Sequence, residues 1–406
     1  MTTNLPEESS PEQTPEGEVP KPVEPTHTLT PEIIAPPSEP AKPQVAVFEP
    51  PRQPWVPAFY GEGSKYFVIQ LVNAILRVIT LNFYYPWAKA EKLRYLYEQT
   101  EFANSRFTFH GSGKEMFIGY LKAFSVAAIL FGGYFFLTHN KQIILAFLLL
   151  YGGIILLYPV AIHGTIKYRL SRTSWRGIFF GYHGELGELF AKFFIGGLLS
   201  LFTLTIYWSW VQVDLRKYVS QNVRFGNVEF EFTGTGLDLF LIKLKYMAFF
   251  FVGYILAIVL LIVIGGASLL TLSASIKDLD GSIFVVLGMI YLMLLIIFGV
   301  IGLMRQREIF QFYVDKTKIW QNEQWHAVRL HMTFAELFKL SFTNMLLLIF
   351  TLGIATPYVE IRNLHFIMPR LAIAGTFEPN DLIQTESDYR DATGEDVGDW
   401  LDIDLV

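Results

Sequence analysis

The sequence predicts an all-α polytopic membrane protein with short β segments, carrying four to seven transmembrane helices and built from internal repeats, two copies clear and one degenerate. Three observations lead there. Hydrophobic residues make up 52% of the chain and charged residues only 17%, with a mean hydropathy of +0.36, an apolar content above that of ordinary soluble domains. Four uncharged or nearly uncharged runs, near residues 117 to 137, 143 to 163, 246 to 272 and 283 to 304, have about the 20 residues that cross a hydrocarbon core. A long segment also occurs twice without a gap: Thr80-Leu81 returns as Thr203-Leu204, Trp87 as Trp210, Tyr95 as Tyr218, Phe107-Thr108-Phe109 as Phe230-Glu231-Phe232, and Gly111-Ser112-Gly113 as Gly234-Thr235-Gly236.

From the N-terminus, residues 1 to 57 are rich in Pro, Glu, Thr and Ser, too polar and proline-broken to form a core, and are expected to be disordered. They lack the basic and apolar regions of a signal peptide, so insertion is expected to rely on the first apolar segments. A membrane domain follows over 58 to 378, with repeats at about 58 to 123, 179 to 246 and 325 to 378. In the first two copies an aromatic-glycine cue, Phe59-Tyr60-Gly61 or Phe180-Gly181-Tyr182, precedes an apolar helix. The helix ends in Phe83-Tyr84-Tyr85-Pro86-Trp87, Ile206-Tyr207-Trp208-Ser209-Trp210 or, in the worn third copy, Ile354-Ala355-Thr356-Pro357-Tyr358. Such aromatic clusters favour a membrane interface. The charged stretches 88 to 97 and 211 to 218 then fit helices lying at the surface. Alternating segments at 106 to 111 and 228 to 234 read as half-buried strands ended by glycines, which would ease the turn into the next helix. The segment from 379 to 406 is acidic and is expected to be a solvated tail, in which Trp400-Leu401 could dock a protein partner.

Several chemistries are excluded. The chain has no cysteine, which removes disulfides and thiolate chemistry. Its histidines show no paired metal spacing; only His326 and His331 are near neighbours, and five residues apart they do not share a helical face well. Gly111-Ser112-Gly113-Lys114 suggests a phosphate cradle, but a P-loop needs Gly at Thr108 and Ser or Thr at Glu115, and a dinucleotide fingerprint needs Gly or Ala at Met116. No metal, cofactor or nucleic-acid partner is expected, and the net charge of -5 comes largely from the tails.

The order Phe-x-Gly, apolar helix ending Thr-Leu, Trp, basic stretch and Phe-x-Phe-x-Gly-x-Gly resembles the YjgN-type family of bacterial inner-membrane proteins, a domain-of-unknown-function family. The likeness covers roughly residues 58 to 378. The third copy departs from it, offering only Ile373-Ala374-Gly375-Thr376-Phe377. The resemblance implies an inner-membrane location and this architecture; it implies no reaction and no catalytic residues.

Three more apolar runs, 66 to 86, 189 to 210 and 334 to 357, are interrupted by Arg77, Lys192 and Lys339. If all seven runs cross, basic loops fall on both sides of the membrane. If these three dip and return, every strongly basic segment falls on one side with both tails, as the positive-inside rule requires. A charge at the bilayer centre costs about 2.5 to 3.5 kcal/mol on insertion scales, which also favours dipping; the length of the runs favours crossing.

Two functional readings follow. A transporter-like protein would place its site at the interrupted helices, with Arg77, Asn73, His163, Lys192, Asn344 and Lys339 as ligand-binding candidates. Lys192 after Glu188 and Lys339 after Glu336 have the spacing of local ion pairs, which leaves Arg77 foremost. A non-enzymatic scaffold or envelope-organising protein would instead grip the bilayer's anionic lipids through its basic loops and recruit protein partners through its tails. A lipid-acting enzyme needs paired carboxylates or a Ser/His/Asp set, and the repeats share neither.

Overall fold

The computed structural model describes residues 53 to 271, 282 to 373 and 377 to 385. Among them, the order strand, helix, helix, strand occurs five times. The first group is β1 (Ala58–Phe59), α1 (Gly63–Ile79), α2 (Tyr85–Glu98) and β2 (Thr100–Phe102). The second is β3 (Ser105–Phe109), α3 (Gly113–His139), α4 (Ile143–Ser171) and β4 (Thr173–Trp175). The third is β5 (Ile178–Tyr182), α5 (Leu186–Phe202), α6 (Trp208–Asn222) and β6 (Val223–Phe225). The fourth is β7 (Val228–Phe232), α7 (Gly236–Thr271), α8 (Ser282–Asp315) and β8 (Thr317–Gln321). The fifth is β9 (Gln324–Leu330), α9 (Phe334–Phe350), α10 (Thr356–Ile367) and β10 (Leu371–Ile373).

The short strands expected from the sequence form one antiparallel sheet in chain order. Trp55 bridges Ile373 through two backbone hydrogen bonds of 3.1 and 2.9 Å, so the sheet closes and its edges disappear. At one end of this barrel, two-residue turns join the strands. Ala103-Asn104, Arg176-Gly177 and Asn322-Glu323 have both residues at positive φ, the sense that matches strand twist. At the other end each strand either runs into a helix or receives the chain from one. The alternate residues turned inward fill the barrel: Trp175 is wholly buried, Phe180 stacks on Phe225 at 4.1 Å, and Phe107, Val228, Phe230, Ile319 and Val328 complete the core. The barrel is thus a packed core and not a pore.

Close approach explains the paired glycines. A Cβ at Gly61, Gly111, Gly184 or Gly234 would strike the ring of Phe59, Phe109, Tyr182 or Phe232, two residues earlier. A Cβ at Gly113 or Gly236 would meet the backbone Cα of Trp87 or Trp210 at 2.9 or 2.8 Å. Gly111, Gly113, Gly234 and Gly236 are absent from the positive-φ residues, so the expected easing of the turn is not their role. The second aromatic-glycine cue also shifts: Gly184 behind Tyr182, and not Gly181, occupies the place of Gly61. Ser112 accepts from the Glu115 amide at 3.2 Å, and Thr235 and Asp238 cap each other similarly, so the Gly-Ser-Gly segment is a capped helix start.

The helix pairs differ in length. Helices α3, α4, α7 and α8 are long and apolar enough to cross a membrane. At about 1.5 Å per residue, the 27 residues of α3 span ~40 Å. Helices α1, α5 and α9 have 17 residues each, about 25 Å, and then reverse. The three interrupted runs are therefore hairpins. At their tips the hydroxyls of Thr80, Thr203 and Thr351 donate to the carbonyls four residues back at 2.7, 2.8 and 2.7 Å. Each also accepts from the amide four residues on, at 3.0, 3.1 and 3.2 Å. Two residues at positive φ follow each threonine: Leu81-Asn82, Leu204-Thr205 and Leu352-Gly353.

The second helix of each short pair runs back along the first: Tyr66 stacks on Tyr95 at 5.4 Å, and Asn344 bonds Asn363. Helices α2 and α6, expected to lie flat at the surface, are these returning arms. Every helix packs on the next and α10 packs on α1, so a ring of helices hangs from the ring of strands. The domain limits also move. Trp55 belongs to the barrel, and the chain expected to be tail from 379 stays on it through a 3-10 turn at Pro379–Asp381 and a buried Leu382. The expected tails at 1 to 52 and 386 to 406, the Trp400-Leu401 pair, and residues 374 to 376 lie outside the described residues.

Candidate functional site

The seam where α10 meets α1 carries a cluster of polar contacts within the helical ring. The Tyr66 hydroxyl donates to Glu360 at 2.7 Å, and Lys92 binds the other carboxylate oxygen at 2.7 Å. Burial, reinforced by that carboxylate, pushes the Tyr66 phenol far above its ordinary range. One turn on lies Gln70, and at the next turn Asn73, only 1% exposed, with neither amide atom hydrogen-bonded. Arg77 continues the same face. Positions 66, 70, 73 and 77 stand at i, i+4, i+7 and i+11, a polar stripe running toward the tip. At the tip Arg77 donates to Asn82 at 2.9 Å and lies over the Tyr85 ring at 5.2 Å, with Lys89 over the same ring at 5.8 Å.

Arg77 therefore has a local partner, which its sequence neighbourhood had not suggested. On the other side of α10, Asn344 donates to Asn363 at 2.9 Å and Arg362 to Thr343 at 2.8 Å. Lys339 does not receive Glu336, because Arg370 takes that carboxylate at 2.8 Å while Thr333 donates to it in a capping box. These contacts, from Arg370 first, hold the Glu336 carboxyl down at about 2. His163 and Lys192 belong to a separate group around the second short hairpin. The ring of His163 meets Tyr182 edge-on at 5.4 Å, and Lys192 pairs with Glu188 at 3.3 Å, as its spacing suggested.

The six candidates do not converge on one pocket. Sequence reasoning missed Tyr66, Lys92 and Glu360, whose link joins positions 294 residues apart. No group of metal-ligating side chains occurs among the described residues, and His326 is buried in the barrel core against Phe377.

Residues 56 to 400 match the family described as a bacterial protein of unknown function (DUF898). The chain belongs to this family. Within DUF898 it is 34% identical over 124 residues to the inner membrane protein YjgN of Salmonella typhimurium, covering 30% of each chain. It is 30% identical over 152 residues to YjgN of Escherichia coli O157:H7, covering 37% of this chain and 36% of that one. The aligned part thus spans about a third of these relatives. No solved structure matches the chain. Like the relatives so named, this DUF898 protein is an inner-membrane protein, with four helices able to span the bilayer.

Proposed function

We propose that the protein is a non-enzymatic, lipid-gripping platform of the inner membrane, with its barrel and both ends of the described chain on the cytoplasmic side. The observation that carries this reading is the set of three short hairpins ending in bare apolar tips: Leu81 is 83% exposed, Leu204 85% and Leu352 91%. Side chains so exposed are stable in acyl chains and costly in water, at about 25 cal/mol per Å². Every helix pair leaves the sheet and returns to the neighbouring strand, so the number of crossings is even throughout. This supports four crossings and three hairpins that enter one leaflet. Basic loops then share the cytoplasmic side, as the positive-inside rule asks.

Arg77 and Lys89, sharing the Tyr85 ring near the first tip, are the residues best placed for an anionic lipid phosphate. At about 1 kcal/mol per cation near the surface, replacing both with Gln weakens retention of an anionic lipid by about thirtyfold. Native mass spectrometry of protein extracted from mixed anionic and zwitterionic membranes tests this. Equal retention by the double variant and the parent would refute the assignment.

The unpartnered amide of Asn73 favours a second, transporter-like reading, in which the stripe from Tyr66 to Arg77 takes a small polar solute. A solute that copurifies with the parent and is lost with Asn73→Leu would favour it over the platform.

A further inference from the structure

The turn-bearing end of the barrel holds a segment of the chain as a receptor holds a peptide. After β10 the chain crosses this end in residues 377 to 385, contributing no strand to the sheet. Phe377 and Leu382 insert into the barrel core, Phe377 against Phe102 at 5.9 Å and edge-on to His326 at 5.8 Å.

The backbone between these anchors is read by side chains from widely separated elements. Gln321 clamps Glu378, donating to its carbonyl at 2.9 Å and accepting from its amide at 3.0 Å. Asn227 repeats the pattern one strand pair away, donating to the Asp381 carbonyl and accepting from the Ile383 amide at 3.1 Å each. The Trp55 indole donates to the Phe377 carbonyl at 2.8 Å. Polar side chains of the segment are read as well: Asn380 accepts from Arg176 at 2.8 Å, Asp381 from Asn322 at 2.8 Å, and Gln384 from the Phe179 amide at 2.6 Å. Gly226 sits at φ +55, and its missing Cβ is the space the Ile383 carbonyl fills. Three of the four turns of the barrel, at 176, 226 to 227 and 322, thus face this segment.

We propose that this end of the barrel is a recognition site for a peptide with an aromatic anchor and a leucine five positions on, bent between them through a 3-10 turn, and that residues 377 to 385 are its resident, exchangeable ligand. The contacts are those of peptide recognition: amide side chains satisfy both a backbone donor and a backbone acceptor of the segment, and two apolar side chains anchor it in the barrel core. The segment shares no strand pairing with the sheet, so it can leave without breaking the ring closed by Trp55 and Ile373. A partner presenting the same spacing gains the site by displacing it.

The test uses the full chain with a protease site inserted between Ile373 and Phe377, purified folded and then cut, with cleavage verified by mass. The expected result is that the fragment beginning at Phe377 stays with the membrane domain through size exclusion. It is then released by excess synthetic peptide 377 to 385, while peptides carrying Phe377→Ala or Leu382→Ala release it at least about tenfold less well. Immediate loss of the cut fragment overturns the proposal, since no binding survives in trans. Failure of the unaltered peptide to displace it, even on prolonged incubation, overturns exchange. Equal release by all three peptides overturns the anchors.

Discussion

Asn73 and Asn344 occupy corresponding places, seven residues before Thr80 and Thr351 at the hairpin tips, yet replacing each by Leu has different consequences. Asn73 is 1% exposed and neither amide atom has a partner. A buried amide without hydrogen bonds costs about 1 to 3 kcal/mol in protein mutational data. Leucine has the same branched arrangement of side-chain heavy atoms and suits a helix better, so Asn73→Leu is expected to stabilise the protein by about 1 to 3 kcal/mol. Asn344 gives up its 2.9 Å bond to Asn363 on the same change, losing about 0.5 to 1.5 kcal/mol, offset in part because its own unpaired oxygen also disappears. Asn344→Leu is therefore expected near neutral. Unfolding in mixed micelles with rising SDS, followed by tryptophan fluorescence, measures both variants against the parent. If Asn73→Leu is destabilised more than Asn344→Leu, the amide of Asn73 is satisfied and the reasoning fails.

Gly113→Ala and Gly236→Ala each press a methyl onto tryptophan backbone and should lower stability by about 1 to 3 kcal/mol, whereas Gly187→Ala, with open space around it, should not; the same SDS titration separates them. Trp175→Phe removes two 3.1 Å indole bonds, to the Phe102 and Ser105 carbonyls, and should cost about 1 to 3 kcal/mol, measured as a fall in the unfolding midpoint. Glu336 has its folded pKa lowered from 4.5 to about 2. Its support of α9 is thus fully present above the unfolded value and is lost as pH falls through the folded one. Protection factors of the amides at the start of α9, taken against the intrinsic exchange rate at each pH, should fall between about pH 4.5 and 2, and Glu336→Gln should flatten that dependence.

The four spanning helices were legible because unbroken apolar length alone decides them. The hairpin tips were half legible: Thr80, Thr203 and Thr351 and the aromatics after them marked the places, but a run of 21 residues reads alike whether it crosses or turns within. Positive φ at Leu81, Leu204 and Leu352 decides the turn, and leucine does not advertise it. The strands at 106 to 111 and 228 to 234 showed their alternation, while closure of the sheet did not. It depends on Trp55 meeting Ile373 from the far end of the chain.

The candidate site divides the same way. The Glu188 to Lys192 spacing foretold a real pair because both residues lie on one helix. The same rule failed at Lys339, because Arg370 and Thr333 compete for Glu336. The Tyr66, Glu360 and Lys92 cluster forms only when the first and last short hairpins meet, a contact that no local pattern encodes.

Because the chain contains no cysteine, single cysteines report sidedness cleanly. In sealed vesicles of known orientation, a membrane-impermeant maleimide should reach a cysteine at Asn104, in a barrel turn, from the cytoplasmic side, and one at Lys141, between α3 and α4, from the opposite side. Cysteines at Leu81, Leu204 and Leu352 should be protected from both sides, or react from the Asn104 side alone. Reaction at any of these three tips from the Lys141 side would contradict the account.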